Sequence, residues 1–170
     1  MACQSLTLGI AKDCKSSMGG IKAIWLSDNG HLQFSGSGGD IAVVPATSGW
    51  YKFNTRKNVS SMTSTLNIDE SNGTNYVTTE LNIVFARMSA DKRQAINVLK
   101  ECELNAVVED NNGNAWALGR DNPVTVTAGT VQTGTAAGDG NNYSITLTDI
   151  SNDLPYPVEE ESMERLHDVD

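Results

Sequence analysis

The chain has 170 residues, of which 21 are acidic and 12 are basic, so its formal net charge is −9. This length predicts one folded domain that can bury a core without disulfide or metal support. The composition argues against three classes of protein. We find no apolar run long enough to span a membrane, no basic and apolar leader typical of a signal peptide, and no basic face typical of a nucleic-acid reader.

The first predicted strands are short and cover residues 21–26 and 50–53. Between them, residues 28–49 are rich in glycine and serine, which predicts a long mobile loop. Residues 54–75 predict a second long polar loop, with a turn at Asn72 and Gly73 near its end.

The strongest strand pattern covers residues 76–85. Alternate positions in this segment are mostly apolar, and the positions between them are mostly polar. The residues expected on the buried face are Val77, Thr79, Leu81, Ile83 and Phe85. Side chains of a strand point alternately to its two faces, so this pattern predicts a half-buried strand.

One helix is predicted, over about residues 90–102. Ser89 suits the N-cap position, and Asp91 suits the first turn, where a negative charge is favourable. The residues that recur at helical spacing on one face are Ala95, Ile96, Leu99 and Cys102.

Four further strands are predicted as two hairpins, residues 104–109 with 115–118 and residues 124–135 with 143–148. The second hairpin has a connection rich in glycine and asparagine. In its last strand, apolar residues alternate with serine and threonine, which again predicts one buried face.

These elements predict a mainly β chain of the α+β kind, a β-sandwich or barrel with one flanking helix at about 89–103. We expect a single β-rich domain over residues 1–154 and an acidic C-terminal tail over residues 155–170. Residues 151–170 hold seven acidic residues against Arg165 alone. Such a segment is typically disordered and solubilising, and it can also dock on a basic neighbour.

No catalytic, cofactor-binding or metal site is predicted. Cys3, Cys14 and Cys102 are too scattered for a disulfide framework or a zinc site, and Cys102 is expected in the core. His31 and His167 are the only histidines, which leaves a histidine-centred site short of ligands. The chain has enough acidic residues to supply the paired carboxylates of a hydrolase, but they lie where solvated strand faces and a helix end are expected. We therefore do not expect an enzyme.

The aromatic residues keep another class of protein open. An exposed platform of Trp50, Tyr51 and Trp116 would suit a carbohydrate-binding module, because sugars stack on aromatic rings. In a β fold, however, tryptophans are more often core or interface residues.

Several segments share a pattern with a group of viral proteins: residues 75–83, 91–93, 106–114, 130–139 and 143–148. In these segments, and in its opening Met1-Ala2-Cys3, the chain resembles small structural proteins of tailed phages that infect Bacteroidetes, including crAss-like phages. The order of a β-rich arm, a helix, a hairpin and a closing β-pair also resembles tail-tube and tube-like ring proteins.

The resemblance implies a tail-tube-like fold whose copies form a hexameric ring around the DNA path. Such a protein lies in the tail or neck of the virion after assembly in the host cytoplasm. It contacts its own copies and other tail or connector proteins, and its long loops are ordered by those neighbours. It needs no catalytic residue or cofactor, and its mild acidity lets DNA pass without specific binding. A head–tail connector or tail-completion ring, or a decoration module on the virion, is the alternative.

Two groups of residues are candidates for partner contacts under this hypothesis. The first group is aromatic and lies on the strand at 50–53, and the second lies in the acidic tail. The candidates are Trp50, Tyr51, Phe53, Glu159, Glu160 and Glu161.

Overall fold

The computed structural model describes residues 9–11, 17–46, 48–56 and 58–168. Within these ranges the chain forms eleven strands and two helices. In chain order they are β1 (Ile21–Asp28), β2 (Gln33–Ser35), β3 (Ile41–Val43), β4 (Trp50–Phe53), β5 (Ser61–Asp69), β6 (Thr74–Ala86), α1 (Ala90–Leu99), β7 (Leu104–Asp110), β8 (Ala115–Leu118), β9 (Thr125–Gln132), β10 (Asn142–Ser151), β11 (Tyr156–Pro157) and α2 (Glu160–His167).

Two antiparallel sheets pack face to face as a sandwich. The five-stranded sheet has the order β11-β8-β7-β1-β4, the four-stranded sheet has the order β5-β6-β10-β9, and β2 and β3 form a separate hairpin. The main core lies between the two sheets and includes Ile24, Leu81, Val108, Leu118 and Leu147. The prediction of a mainly β fold of the α+β kind is confirmed.

The centre of the four-stranded sheet follows the predicted alternation. In β6 the buried residues are Val77, Thr79, Leu81, Ile83 and Phe85. Strand β10 pairs with β6 so that its own buried residues, Tyr143, Ile145 and Leu147, lie opposite Phe85, Ile83 and Leu81. Both strands therefore present one apolar face to the core.

Helix α1 begins where predicted and ends three residues early. The Ser89 side chain accepts a hydrogen bond from the backbone N–H of Lys92 at 3.3 Å, which caps the first turn. The N–H of Cys102 bonds to the carbonyl of Leu99, a tight last turn that leads the chain into β7. Cys102 is half-buried and packs against the main core.

Residues 28–49, expected as a mobile loop, contain the β2–β3 hairpin instead. Asn105 of β7 fixes the start of this segment, because its side-chain oxygen accepts hydrogen bonds from the N–H groups of Gly30 (2.8 Å) and His31 (3.1 Å). Ala42 of β3 is fully buried. The two strands have three residues each, too short for a period-2 pattern to stand out among glycines and serines.

Residues 54–75, expected as a loop, contain the nine-residue strand β5. It pairs with β6 from Ser61 opposite Asn82 to Asp69 opposite Thr74. The strand escaped prediction because hydroxyl side chains occupy both of its faces and blur the alternation. Threonine is nevertheless a good strand former, since its branched Cβ packs well on a pleated surface.

Residues 155–170, expected as a separate acidic tail, are part of the fold as far as residue 168. Strand β11 pairs with β8 at the edge of the five-stranded sheet, and α2 covers the outer face of that sheet. Three hydrogen bonds hold the helix there. The Ser162 hydroxyl accepts from the N–H of Val44 (3.0 Å), Arg165 donates to the Val44 carbonyl (3.1 Å), and the Leu166 carbonyl accepts from the Trp25 indole (3.1 Å).

A second core forms under α2. Its buried residues include Trp25, Val44, Trp50, Val107 and Leu166. The acidic residues of the helix lie on its solvent face, so α2 is amphipathic, with few apolar positions.

Candidate assembly surfaces

The aromatic partner candidates lie on both faces of β4, an edge strand. Trp50 is only 2% exposed and belongs to the second core. Phe53 is half-buried and packs against Phe85, with ring centroids 5.9 Å apart. Tyr51 is 67% exposed and is the one aromatic side chain of this group that a partner can reach freely.

The acidic partner candidates lie at the start of α2. Glu159 is the N-cap residue, and Glu160 and Glu161 are exposed in the first turn. Glu161 pairs with Arg165 one turn later. Carboxylates stabilise a helix N-terminus, so this cluster has a structural role in α2 whatever else it contacts.

The proposed sugar platform is not assembled. Trp50 faces α2, whereas Tyr51 points to the other side of the sheet. Trp116, on β8, is half-buried in a shallow hollow beside Met62 of the opposite sheet, and two strands separate β8 from β4. The three rings therefore share no surface.

The described residues contain no group of three or more His, Cys, Asp or Glu side chains placed to hold a metal ion. Cys3 and Cys14 lie outside the described residues, so the expectation that they are ordinary thiols stays a prediction. Neither helix of the described chain has the length and apolar character needed to cross a membrane.

The most accessible backbone surface is the pair of open edges of the four-stranded sheet. Strands β5 and β9 lie at the two ends of the order β5-β6-β10-β9, and no other described strand pairs with their outer sides. Neither strand contains proline or lysine. Strand β5 has one charged residue, Asp69 at its end, and β9 has none. Natural proteins commonly protect open edges with such residues, and both edges lack them; the one protective feature is an irregularity at Thr127, where the pairing of β9 with β10 shifts register.

The outer face of the same sheet is polar and almost uncharged. Residues paired across the strands form two rows of side chains on this face, Thr63-Glu80-Thr148-Thr125 and Ser61-Asn82-Thr146-Ala128. Thr127 and Thr148 bond through their hydroxyls at 2.8 Å. The four strands contain no lysine or arginine at all.

The β5–β6 tip, residues 66–76, extends beyond the rest of this sheet. Strand β10 reaches only as far as Val77, so the start of β6 pairs with β5 alone. Leu66, Ile68 and Tyr76 are 54%, 64% and 41% exposed on the tip. The sequence pattern predicts residues 54–75 as a loop and therefore misses the exposed apolar side chains of Leu66 and Ile68, whereas Tyr76 lies in the predicted strand.

Comparison with models of protein families, with curated proteins and with solved structures finds no match for this chain.

Proposed function

We propose that this chain is a virion structural protein, a tail-tube-like subunit whose copies assemble into a ring around the path of DNA. The observation that carries the proposal is the pair of open, almost uncharged edges on one sheet. Each copy offers β5 on one side and β9 on the other, so the β9 edge of one copy can pair with the β5 edge of the next. Such a contact is heterologous and closes into a ring when the rotation fits.

Strand direction supports this pairing. Neighbouring strands in the order β5-β6-β10-β9 are all antiparallel, so β5 and β9 run in opposite directions. A rotation about an axis along the strands keeps those directions, and the next copy's β5 then meets β9 antiparallel. The ring would continue the ladder of the four-stranded sheet and leave neither of its two edges open.

The polar outer face suits the wall of a channel. In a closed ring one face of the sheet turns inward, and the apolar face is already covered by the five-stranded sheet. The hydroxyl-rich outer face would then line the lumen. Without lysine or arginine this face offers no counter-charge to phosphates, so DNA can slide along it without being held.

The diameter of such a ring is large enough for a DNA duplex. Six copies with four strands each, spaced about 4.8 Å apart, give a barrel about 37 Å across between backbones. That width leaves room for side chains and a DNA duplex. The sequence resemblance to phage structural proteins supplies the virion context. A head–tail connector ring would use the same pairing and differ only in its neighbours.

The direct test is the mass of the purified protein by light scattering, with the same sample imaged by negative stain. We expect rings with a central hole. Amide hydrogen exchange should then slow in β5 and β9 on assembly, because their outward N–H groups become bonded. A chain that stays monomeric at all concentrations, or rings whose β5 and β9 amides exchange as fast as in the monomer, would contradict the proposal.

Proline substitutions at two neighbouring positions of β9 provide a matched test of edge pairing. Thr130 and Val131 lie opposite Ser144 and Tyr143 in the β9–β10 ladder. Successive N–H groups of an antiparallel strand point to opposite sides, so one of the two bonds to β10 and the other faces the open edge. We expect one of Thr130→Pro and Val131→Pro to destabilise the monomer, and the other to leave it folded but unable to form rings. A folded edge variant that still forms rings would contradict β9 pairing.

A further inference from the structure

The chain contains the dipeptide Asn-Gly three times, at residues 29–30, 72–73 and 112–113. An Asn-Gly pair can lose its side-chain amide without an enzyme. The glycine nitrogen attacks the side-chain carbonyl carbon of the asparagine, a new C–N bond closes a succinimide ring, and the side-chain amide leaves as ammonia with the glycine proton. Water then opens the ring to aspartate or isoaspartate. Glycine favours this attack, because it carries no side chain to obstruct the nitrogen.

The hydrogen bonds around each pair distinguish the three sites. All six residues are exposed, so exposure to water does not separate them. At the first pair the N–H of Gly30 donates to the side-chain oxygen of Asn105 at 2.8 Å, and the Asn29 side-chain oxygen accepts from the Asn105 amide at 3.4 Å. The attacking nitrogen is therefore held, and so is the carbonyl group that it must reach.

The third pair lies in the turn between β7 and β8 and is held in the same way. The N–H of Gly113 donates to the Asp110 carbonyl at 3.2 Å. The Asn112 side chain accepts from the N–H of Met18 at 2.8 Å and donates to the Met18 carbonyl at 2.9 Å. Closure of the succinimide ring would break these bonds, so this pair reacts only after a local opening of the chain.

The second pair lies at the β5–β6 tip and differs at the attacking nitrogen. No described residue accepts a hydrogen bond from the N–H of Gly73. A side-chain carbon added at this glycine would meet no atom within 4 Å, so the space beside it is open. The side-chain amide of Asn72 donates to Asp69 at 2.6 Å. That bond holds the group that leaves and not the nitrogen that attacks, so ring closure needs no prior opening at Gly73.

We infer that Asn72 is a site of spontaneous deamidation, whereas the fold protects Asn29 and Asn112. The reaction places a new carboxylate beside Asp69 and Glu70 and removes the amide that donates to Asp69. Isoaspartate also adds a main-chain carbon to the turn. The β5–β6 tip therefore becomes more acidic with time. This inference does not rest on the proposed function, because the reaction takes place within one copy of the chain.

The first test follows the three pairs in one sample. The folded chain is kept in a mildly alkaline buffer, and peptide mass spectrometry measures the conversion of each asparagine with time. We expect Asn72 to convert more than about tenfold faster than Asn29 or Asn112, because a held pair reacts only from a locally opened chain. In urea the three pairs should convert at similar rates. Equal rates in the folded chain, or an equally large difference in urea, overturn the inference.

The second test removes the reactive side chain. In Asn72→Gln the side chain is one carbon longer and would close a larger ring, which forms more slowly. We expect the acidic species of the wild-type chain, measured by ion-exchange chromatography, to form more than about tenfold more slowly in this variant. The matched control, Asn75→Gln, should behave as the wild-type chain does. Asn75 is also exposed, but Tyr76 follows it and its side chain obstructs the attack. An acidic species that forms in Asn72→Gln as fast as in the wild-type chain overturns the inference.

Discussion

We expect the substitution Leu166→Ala to lower the free energy of unfolding by about 2–5 kcal/mol. Leu166 is fully buried and is the central apolar residue with which α2 covers Trp25 and Trp50. Truncation removes apolar packing from the second core, to which Trp25 and Trp50 belong, and leaves a cavity that the sheet beneath cannot fill, because protein interiors are closely packed. The Leu166 carbonyl also accepts the hydrogen bond of the Trp25 indole, so a loosened helix leaves a buried donor without a partner.

Urea unfolding followed by tryptophan fluorescence measures this effect, since two of the three tryptophans lie under the helix. Glu164→Ala is the matched control. It makes the same kind of truncation in the same helix at an exposed position, and we expect a change within about 0.5 kcal/mol. Equal effects of the two substitutions would mean that α2 does not dock on the sheet.

The same helix shows where the sequence was insufficient. Acidic residues dominate the segment from residue 159, and composition alone predicts a solvated tail. A helical signal was present in the spacing of Met163 and Leu166, which lie three residues apart on the side of α2 facing the second core. Two apolar residues are too few to predict a docked helix instead of a disordered tail. The burial that orders α2 comes from tryptophans far away in sequence.

The candidate contact residues show a related difficulty. Alternation along β4 puts Trp50 and Tyr51 on opposite faces, which the hypothesis of one shared platform did not take into account. It cannot say which face is covered, since the cover over Trp50 is a helix more than one hundred residues later. The strands of the core were predictable because apolar residues at alternate positions of each strand mark its buried face, as in β6 and β10. The open edges were not, because strand order depends on pairings between distant segments.

Asp149 is a buried acid in the apolar face of β10, and replacing it by asparagine should remove a pH dependence of stability. Asp149 is only 3% exposed and lies on the same face as Ile145 and Leu147. Burial, and next the charge of Asp121, raise the pKa of Asp149 to about 6 from an ordinary value of 3.8, although hydrogen bonds from the N–H of Gly119 and the hydroxyl of Ser151 oppose the shift.

The direction of this pH dependence follows from which state of the chain, folded or unfolded, binds the Asp149 proton more tightly. Between pH 4 and pH 6 the folded chain keeps the Asp149 proton while the unfolded chain loses it. This contribution to stability is therefore complete below about pH 4 and falls as the pH rises through 6, by about 3 kcal/mol in total. Asparagine cannot ionise, and its side-chain oxygen can still accept the Gly119 hydrogen bond. Between pH 4 and pH 7, the free energy of unfolding of the variant should therefore rise by about 3 kcal/mol relative to that of the wild-type chain.

Urea unfolding of both chains at pH 4, 5, 6 and 7 measures this difference. Asp139→Asn is a control of opposite sign. The backbone N–H groups of Ala136 and Thr135 lower the pKa of Asp139, so its contribution is lost as the pH falls. Asp149→Asn should therefore help most at pH 7, whereas the effect of Asp139→Asn should stay nearly constant from pH 4 to pH 7, because the contribution of Asp139 is lost only below its ordinary pKa of 3.8. Parallel pH profiles of Asp149→Asn and the wild-type chain would show that Asp149 is already ionised and solvated in the folded protein.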